Sequence, residues 1–293
     1  MISLWQKIFP AAFFVSEPVH TAMIIGGGAA VVSGVIGVFT VIRGQSFAAH
    51  ALADVSSAGG ALSFLLGINP LLGFLGMALL AAAGMEAAGI ARARERDLIT
   101  GIVLGAGLGL SALFLYFDVM SHSTTGAAVS IMFGEMFTIP AAIIPLALAI
   151  GIGALLMIVL LYRPLLFCSI DSELAQVSGV QVRLLSLLHL MTLALAATLS
   201  AMTVGAVLST ALLIGPAAIA LRLVKSPGRA ILFAAFTGLT ATWGGILLAY
   251  DSFYWTPGRG WPVSFFIVSL IFIFYLLTGR LRQPREADSC SPA

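Results

Sequence analysis

Hydrophobic positions along this chain fall neither in strict alternation nor on one narrow helical stripe. They form long blocks parted by short polar or charged clusters, and a block of roughly 20 apolar residues is what an α-helix needs to cross the hydrocarbon core of a bilayer. That ruler predicts helices over 20–42, 51–67, 70–91, 98–117, 139–162, 184–201, 204–224, 230–250 and 262–279. A further apolar stretch, 126–138, reads as a re-entrant or half-helix. The expected fold is all-α: a polytopic membrane bundle of about eight or nine transmembrane helices. A single transmembrane domain covers 1–282, and 283–293 form a short polar cytoplasmic tail. The opening run MISLWQKIFPAAFFVSEP has one Lys, a short apolar stretch broken by Pro10 and no small-x-small cleavage pattern. It is expected to lie at the interface rather than to be removed as a signal.

Composition agrees with the pattern. Hydrophobic residues make up 60% of the 293 and charged residues 9%, against about 25% charged in soluble domains. A cytosolic enzyme is excluded, as is a peripheral protein held by one amphipathic helix. The net charge of +2 matters less than its placement. If the first helix runs inward, Arg43, Arg92, Arg94, Arg96, Arg163, Arg183, Arg222, Lys225, Arg229, Arg280, Arg282 and Arg285 face the cytoplasm, leaving Lys7 and Arg259 outside. The positive-inside rule then puts the N-terminus outside and the C-terminus in the cytoplasm. Cys168 and Cys290 are too few for a disulfide framework or zinc cluster and read as free thiols. Gly101, Gly105 and Gly109 recur every four residues, a spacing expected to let helix backbones pack closely. No Walker motif and no HExxH occur, so the chain neither hydrolyses ATP by itself nor is an intramembrane metalloprotease, and nothing points to nucleic acid.

An ionisable residue in hydrocarbon costs several kcal/mol unless paired or hydrated, which makes each one a functional candidate. His50 and Asp54, in RGQSFAAHALADV, are four apart and share one helical face. Imidazole with carboxylate suits a divalent zinc, manganese or ferrous ion, and two ligands are too few for a closed structural site, as transport requires. Alternatively, the two pair with each other and tie the helix down. Glu86 reads as an interface anchor near Arg92, His189 as a hydrogen-bonded bundle residue, and Asp118, His122 and Asp251 as solvated residues at outer helix ends. Glu135 is a third pathway candidate, and Pro216 is expected to break the seventh helix, freeing carbonyls that move or coordinate. In the loop after Arg163, Asp171 can cap a short helix, Glu173 favours its first turn and Gly179 can end it.

Four stretches together carry a family resemblance: RGQSFAAHALADVSSAGGALSFLLGINP (43–70), IMFGEMFTI (131–139), IDSELAQVSGV (170–180) and VGAVLSTALLIGPAAIA (204–220). The first is similar to an Arg followed by Gly-Asp-x-Leu-x-His-Ala and an Asn-Pro turn. The second is similar to a Leu-Phe-Gly segment, the third to Asp-Pro-Glu-Leu-Ala-x-x-x-Gly-Val, and the fourth to a Val-Gly-Ala run closing on Pro-Ala-Ala. In this order they resemble the integral-membrane permease of bacterial zinc/manganese/iron ABC importers, the ABC-3 family. The resemblance implies a homodimer with a pathway between protomers, two cytosolic ATPase subunits, an extracytoplasmic metal-binding protein and a home in the bacterial plasma membrane. It also implies a coupling helix at about 171–179 with Asp171, Glu173 and Gly179 as matched positions, and a transported zinc or manganese ion rather than a permanently bound cofactor. Two departures stand out. The family's ligands are an Asp followed four residues later by a His, whereas here His50 precedes Asp54, a reversal expected to alter depth or selectivity. The outer stretch YDSFYWTPGRGWP (250–262) is longer and more aromatic than the family's turn, so contact with the delivery protein is expected to differ.

Two other transport readings compete. A permease for metal chelates of the siderophore or cobalamin type would have little use for an ion-ligating pair. A proton-driven secondary transporter would use Glu86 and His189 as relays and need no ATPase partner.

Overall fold

The computed structural model describes residues 16–89, 95–122, 126–134, 136–255 and 260–287. These form eleven α-helices in chain order: α1 Glu17–Ile42, α2 Ser46–Leu66, α3 Pro70–Ala87, α4 Arg96–His122, α5 Ala127–Phe133, α6 Ile144–Ile170, α7 Ser172–Val177, α8 Val182–Val204, α9 Ala206–Leu223, α10 Pro227–Trp255 and α11 Val263–Ala287. A single 3-10 turn, Ala141–Ile143, leads into α6. Among the described residues seven helices are long and apolar enough to cross a membrane: α1, α3, α4, α6, α8, α9 and α10. The apolar part of α11, Val263–Gly279, is shorter. The remaining long helix, α2, carries Asp54, Ser56, Ser57 and Ser63 in buried positions. Its polarity is turned toward other helices and away from lipid.

Local chemistry sets the boundaries. Gly67 ends α2 in the left-handed conformation at φ 67°, with Gly67 N–H bonded to Phe64 O and Ile68 N–H to Ser63 O. Two residues later Asn69 caps α3 by accepting from Leu71 N–H at 3.0 Å, and Pro70 fits the first helical position, where no donor is needed. The GINP tetrapeptide is thus a stop and a start in four residues.

Two central helices organise the bundle. α1 packs against α6, α8, α9 and α10; α2 packs against α3, α4, α8 and α9, so α8 and α9 join the two groups. Backbones touch where side chains are missing. A Cβ on Gly37 of α1 would collide with the Leu213 carbonyl of α9, and one on Gly59 of α2 with the Gly73 carbonyl of α3. Ser56 Oγ of α2 donates across that second contact to Phe74 O at 3.0 Å.

Within 126–138 the described residues hold the seven-residue α5, about 10 Å long and too short to span, as a half-helix is. The structure revises two other expectations. A Cβ on Gly101, Gly105 or Gly109 meets nothing within 4 Å, because their face of α4 points away from the protomer; the close approach to α2 is made by Gly107, against Val55. Finally, α9 runs through Pro216 without interruption, and the break lies ahead of the helix at Gly205, φ 91°. Proline removes one hydrogen bond, to the Leu212 carbonyl, but neighbouring helices on both sides hold the course of the chain.

Candidate functional site

His50 and Asp54 lie one turn apart on α2, with His50 Nε2 3.6 Å from Asp54 Oδ2. That separation is within ion-pair range and beyond a direct hydrogen bond. The Asp54 side chain is 5% exposed and that of His50 36%, so the pair has a sheltered carboxylate behind a partly open imidazole. The other ring nitrogen is engaged: Nδ1 stands 2.6 Å from Thr210 Oγ1 on α9. Below Asp54 the helix is fixed by Ser57, whose hydroxyl donates to Asp54 O at 2.6 Å and lies 2.9 Å from Ser111 Oγ on α4. The arrangement leaves one nitrogen and one carboxylate edge close enough to share a cation whose bonds to each are about 2.1 Å.

Sequence reasoning named both members of the pair and missed the three hydroxyls beside them, those of Thr210, Ser57 and Ser111. Ser209 and Thr210 interrupt an otherwise apolar run from Val204 to Ala220, and that was the available signal. Asp118, expected to be solvated, is 1% exposed on α4, two turns beyond Ser111. Glu135 lies outside the described residues, as do residues 1–15 and Cys290. Its neighbour Gly134 takes φ 70° and abuts the backbone of Thr203–Gly205, which brings the end of α5 against the α8–α9 junction.

At the opposite end of the bundle the predicted surface helix is present as α7. Asp171 Oδ1 accepts from Glu173 and Leu174 N–H, both at 2.9 Å. Gly179, φ 88°, closes the helix, with Gly179 N–H bonded to Gln176 O and Val180 N–H to Ala175 O. Ala175 is buried, whereas Ile170, Leu174 and Val177 are 85%, 56% and 87% exposed. The short helix thus buries one side chain and leaves three large apolar ones exposed. Close by, Glu86 is buried at the end of α3 and paired with Arg183 in the first turn of α8, Oε1 to Nε 4.0 Å, and Arg92 lies outside the described residues. Arg96 donates to the Arg43 carbonyl at 2.8 Å. His189, two turns into α8, is fully buried, and neither ring nitrogen has a hydrogen-bond partner among the described residues.

The fold is thus a multi-helix membrane protein with an ionisable pair inside it, a short capped helix at one end and a half-helix at the other. Residues 16–279 match the ABC 3 transport family, and the chain belongs to it. It is therefore a permease component of ABC transport and not an enzyme. The manganese import system permease protein ScaB of Streptococcus pneumoniae is 32% identical over 238 residues, which cover 81% of this chain and 82% of that one. The high-affinity zinc uptake system membrane protein ZnuB of Haemophilus influenzae is 26% identical over 241 residues, covering 80% and 90%. The solved structure of PsaBC from Streptococcus pneumoniae in complex with Fab superposes with a TM-score of 0.79 at 26% identity, over 95% of each chain.

Proposed function

We propose that this chain is the membrane-spanning subunit of an ATP-driven importer that carries a divalent transition metal, manganese or zinc, into a bacterial cell. The observation that carries the proposal is the sheltered His50–Asp54 pair, an incomplete N,O ligand set of the kind that binds and releases such ions. The manganese and zinc permeases among its relatives point to the same cargo. Glu135 is a third candidate on the pathway, placed in sequence beside the Gly134 that meets the α8–α9 junction. Pro216 leaves the Leu212 carbonyl without its helical donor, at a point where α9 can bend.

Counting α2 and α11 with the seven apolar helices gives nine crossings, with the N-terminus outside and the C-terminus in the cytoplasm. In that orientation α7 faces the cytosol, and its exposed Ile170, Leu174 and Val177 offer an ATPase subunit its grip, with Asp171, Glu173 and Gly179 fixing the helix. An extracytoplasmic metal-binding protein delivers the ion at the other end, where Trp261 N–H bonds Ser252 Oγ at 2.9 Å and pins the aromatic outer turn. Two copies of the chain form the working unit. The face of α4 with Gly101, Gly105 and Gly109 supports this, being open in the protomer. Nucleotide-driven motion in the partners then shifts the dimer between outward-open and inward-open states.

The test is competitive uptake of labelled manganese and labelled zinc by cells that express the chain with its ATPase and binding protein, at matched membrane levels. Wild type accumulates one metal, and His50→Ala and Asp54→Ala each lower that uptake at least about 10-fold, the usual loss when a metal ligand or its support is removed. Normal transport by both variants would instead favour a chelate permease.

A further inference from the structure

We infer that Thr210 is the positioning residue of the metal site, selecting which imidazole nitrogen of His50 faces the ion and making that choice depend on the packing of α9 against α2. The inference rests on the reading that His50 and Asp54 hold the transported metal.

Thr210 sits one turn into α9, with its Oγ1 2.6 Å from His50 Nδ1. An imidazole that ligates through one nitrogen carries its hydrogen on the other. With Thr210 Oγ1 accepting the Nδ1 hydrogen, the Nε2 lone pair is presented on the side where Asp54 Oδ2 stands 3.6 Å away. The torsion that turns a histidine ring is broad and roughly twofold, so an untethered ring can flip, placing Cδ2 where Nδ1 stands and Cε1 where Nε2 stands. Thr210 removes that freedom. The backbone that carries Asp54 is held separately, because Ser57 bonds the Asp54 main-chain carbonyl and lies 2.9 Å from Ser111 Oγ on α4. The segment of α2 that carries Asp54 is thus anchored toward α4, while the His50 ring itself is tethered from α9.

Because Thr210 stands on another helix, the hydrogen bond survives only while α2 and α9 keep their present spacing. A separation of about 1 Å takes a 2.6 Å contact beyond hydrogen-bond range. The start of α9 is set at Gly205, whose backbone lies against Met132 and Phe133 at the end of α5. Movement at that junction frees the ring, and the ligand pair loses affinity without either ligand leaving its own helix.

The experiment measures manganese binding to the purified permease–ATPase complex, and uptake by the full system, for wild type, Thr210→Val, Thr210→Ser and Asp54→Ala. Val keeps the shape and loses the hydroxyl; Ser keeps the hydroxyl. Expected is a Kd about 10-fold higher for Thr210→Val, with Thr210→Ser close to wild type. A Thr210→Val complex that binds as wild type does, or a Thr210→Ser complex as impaired as Thr210→Val at equal membrane level, overturns the positioning role. If Thr210→Val fails to accumulate, Thr210→Ala takes its place with the same expected Kd. Normal binding and uptake by Asp54→Ala overturn the site reading itself, whereas an inactive Asp54→Ala beside an unaffected Thr210→Val overturns the role of Thr210 alone.

Discussion

Glycine shows at the residue scale how much a single missing methyl group decides. Gly37 and Gly153 are both helical glycines in apolar runs, and nothing in their spacing separates them. Their surroundings do: a Cβ on Gly37 strikes the Leu213 carbonyl, whereas one on Gly153 meets nothing within 4 Å. A backbone carbonyl cannot swing aside as a flexible side chain can, so α1 and α9 would have to part. Gly37→Ala is expected to cost about 1–3 kcal/mol or more, as overpacking does. In thermal unfolding of the purified complex that appears as a midpoint lowered by about 5 °C. Gly153→Ala should leave the midpoint unchanged or slightly raised, since alanine is the better helix former. The same logic explains why the four-residue glycine repeat in α4 misled. Spacing reports a stripe of small residues but not whether a helix lies against it, and in the protomer that neighbour is absent for Gly101, Gly105 and Gly109. The His50–Asp54 pair was legible because a one-turn spacing of ionisable groups is a local fact; Thr210 was not, because it is 160 positions away and reaches His50 only through the packing of α9 on α2.

Whole elements are more legible than contacts. The nine long apolar blocks all became helices, since in hydrocarbon a backbone must satisfy its own hydrogen bonds. Their depth was less clear: α2 reads as a span by length, yet its polar side chains are spent on neighbouring helices. The short helix α7 was foreseeable to its ends because its stop and start are side-chain chemistry, an Asp cap and a left-handed Gly. Those ends carry a prediction. Asp171→Ala removes the oxygen that satisfies two N–H groups, and Gly179→Val puts a β-branched side chain at φ 88°. Each costs the helix about 1 kcal/mol or more. Because α7 is the proposed grip for the ATPase, the effect belongs to coupling and not to metal binding. In proteoliposomes, transport per ATP hydrolysed should fall several-fold for both variants while the Kd for manganese stays at the wild-type value. A changed Kd with intact coupling would place the function of α7 elsewhere.

For the whole molecule, the two helix groups around α1 and α2 are held together through α8 and α9, and the short helix α7 leads into α8 within five residues. Arg183, in the first turn of α8, is tied to the buried Glu86 of α3, and the far end of α8 meets the Gly205 junction from which Thr210 is set. A displacement of α7 therefore has a continuous, rigid element along which to act, some 34 Å of helix. In the proposed dimer, the second wall of the pathway comes from the other copy. Along α4, Ile102, Leu108, Leu110, Leu113, Tyr116, Phe117 and Met120 are exposed together with the open glycine face. Lipid tails would cover such a surface as readily as protein would, so exposure alone does not choose between them. The glycines do, because a groove of small residues lets a second backbone approach and gains lipid little. A single cysteine at Gly105, in a chain with Cys168→Ser and Cys290→Ser, should therefore form a disulfide-linked dimer in native membranes under mild oxidation. A cysteine at Leu232 on α10, 71% exposed and on a different helix, should remain monomeric. The reverse result would move the dimer interface to α10 and leave α4 facing lipid.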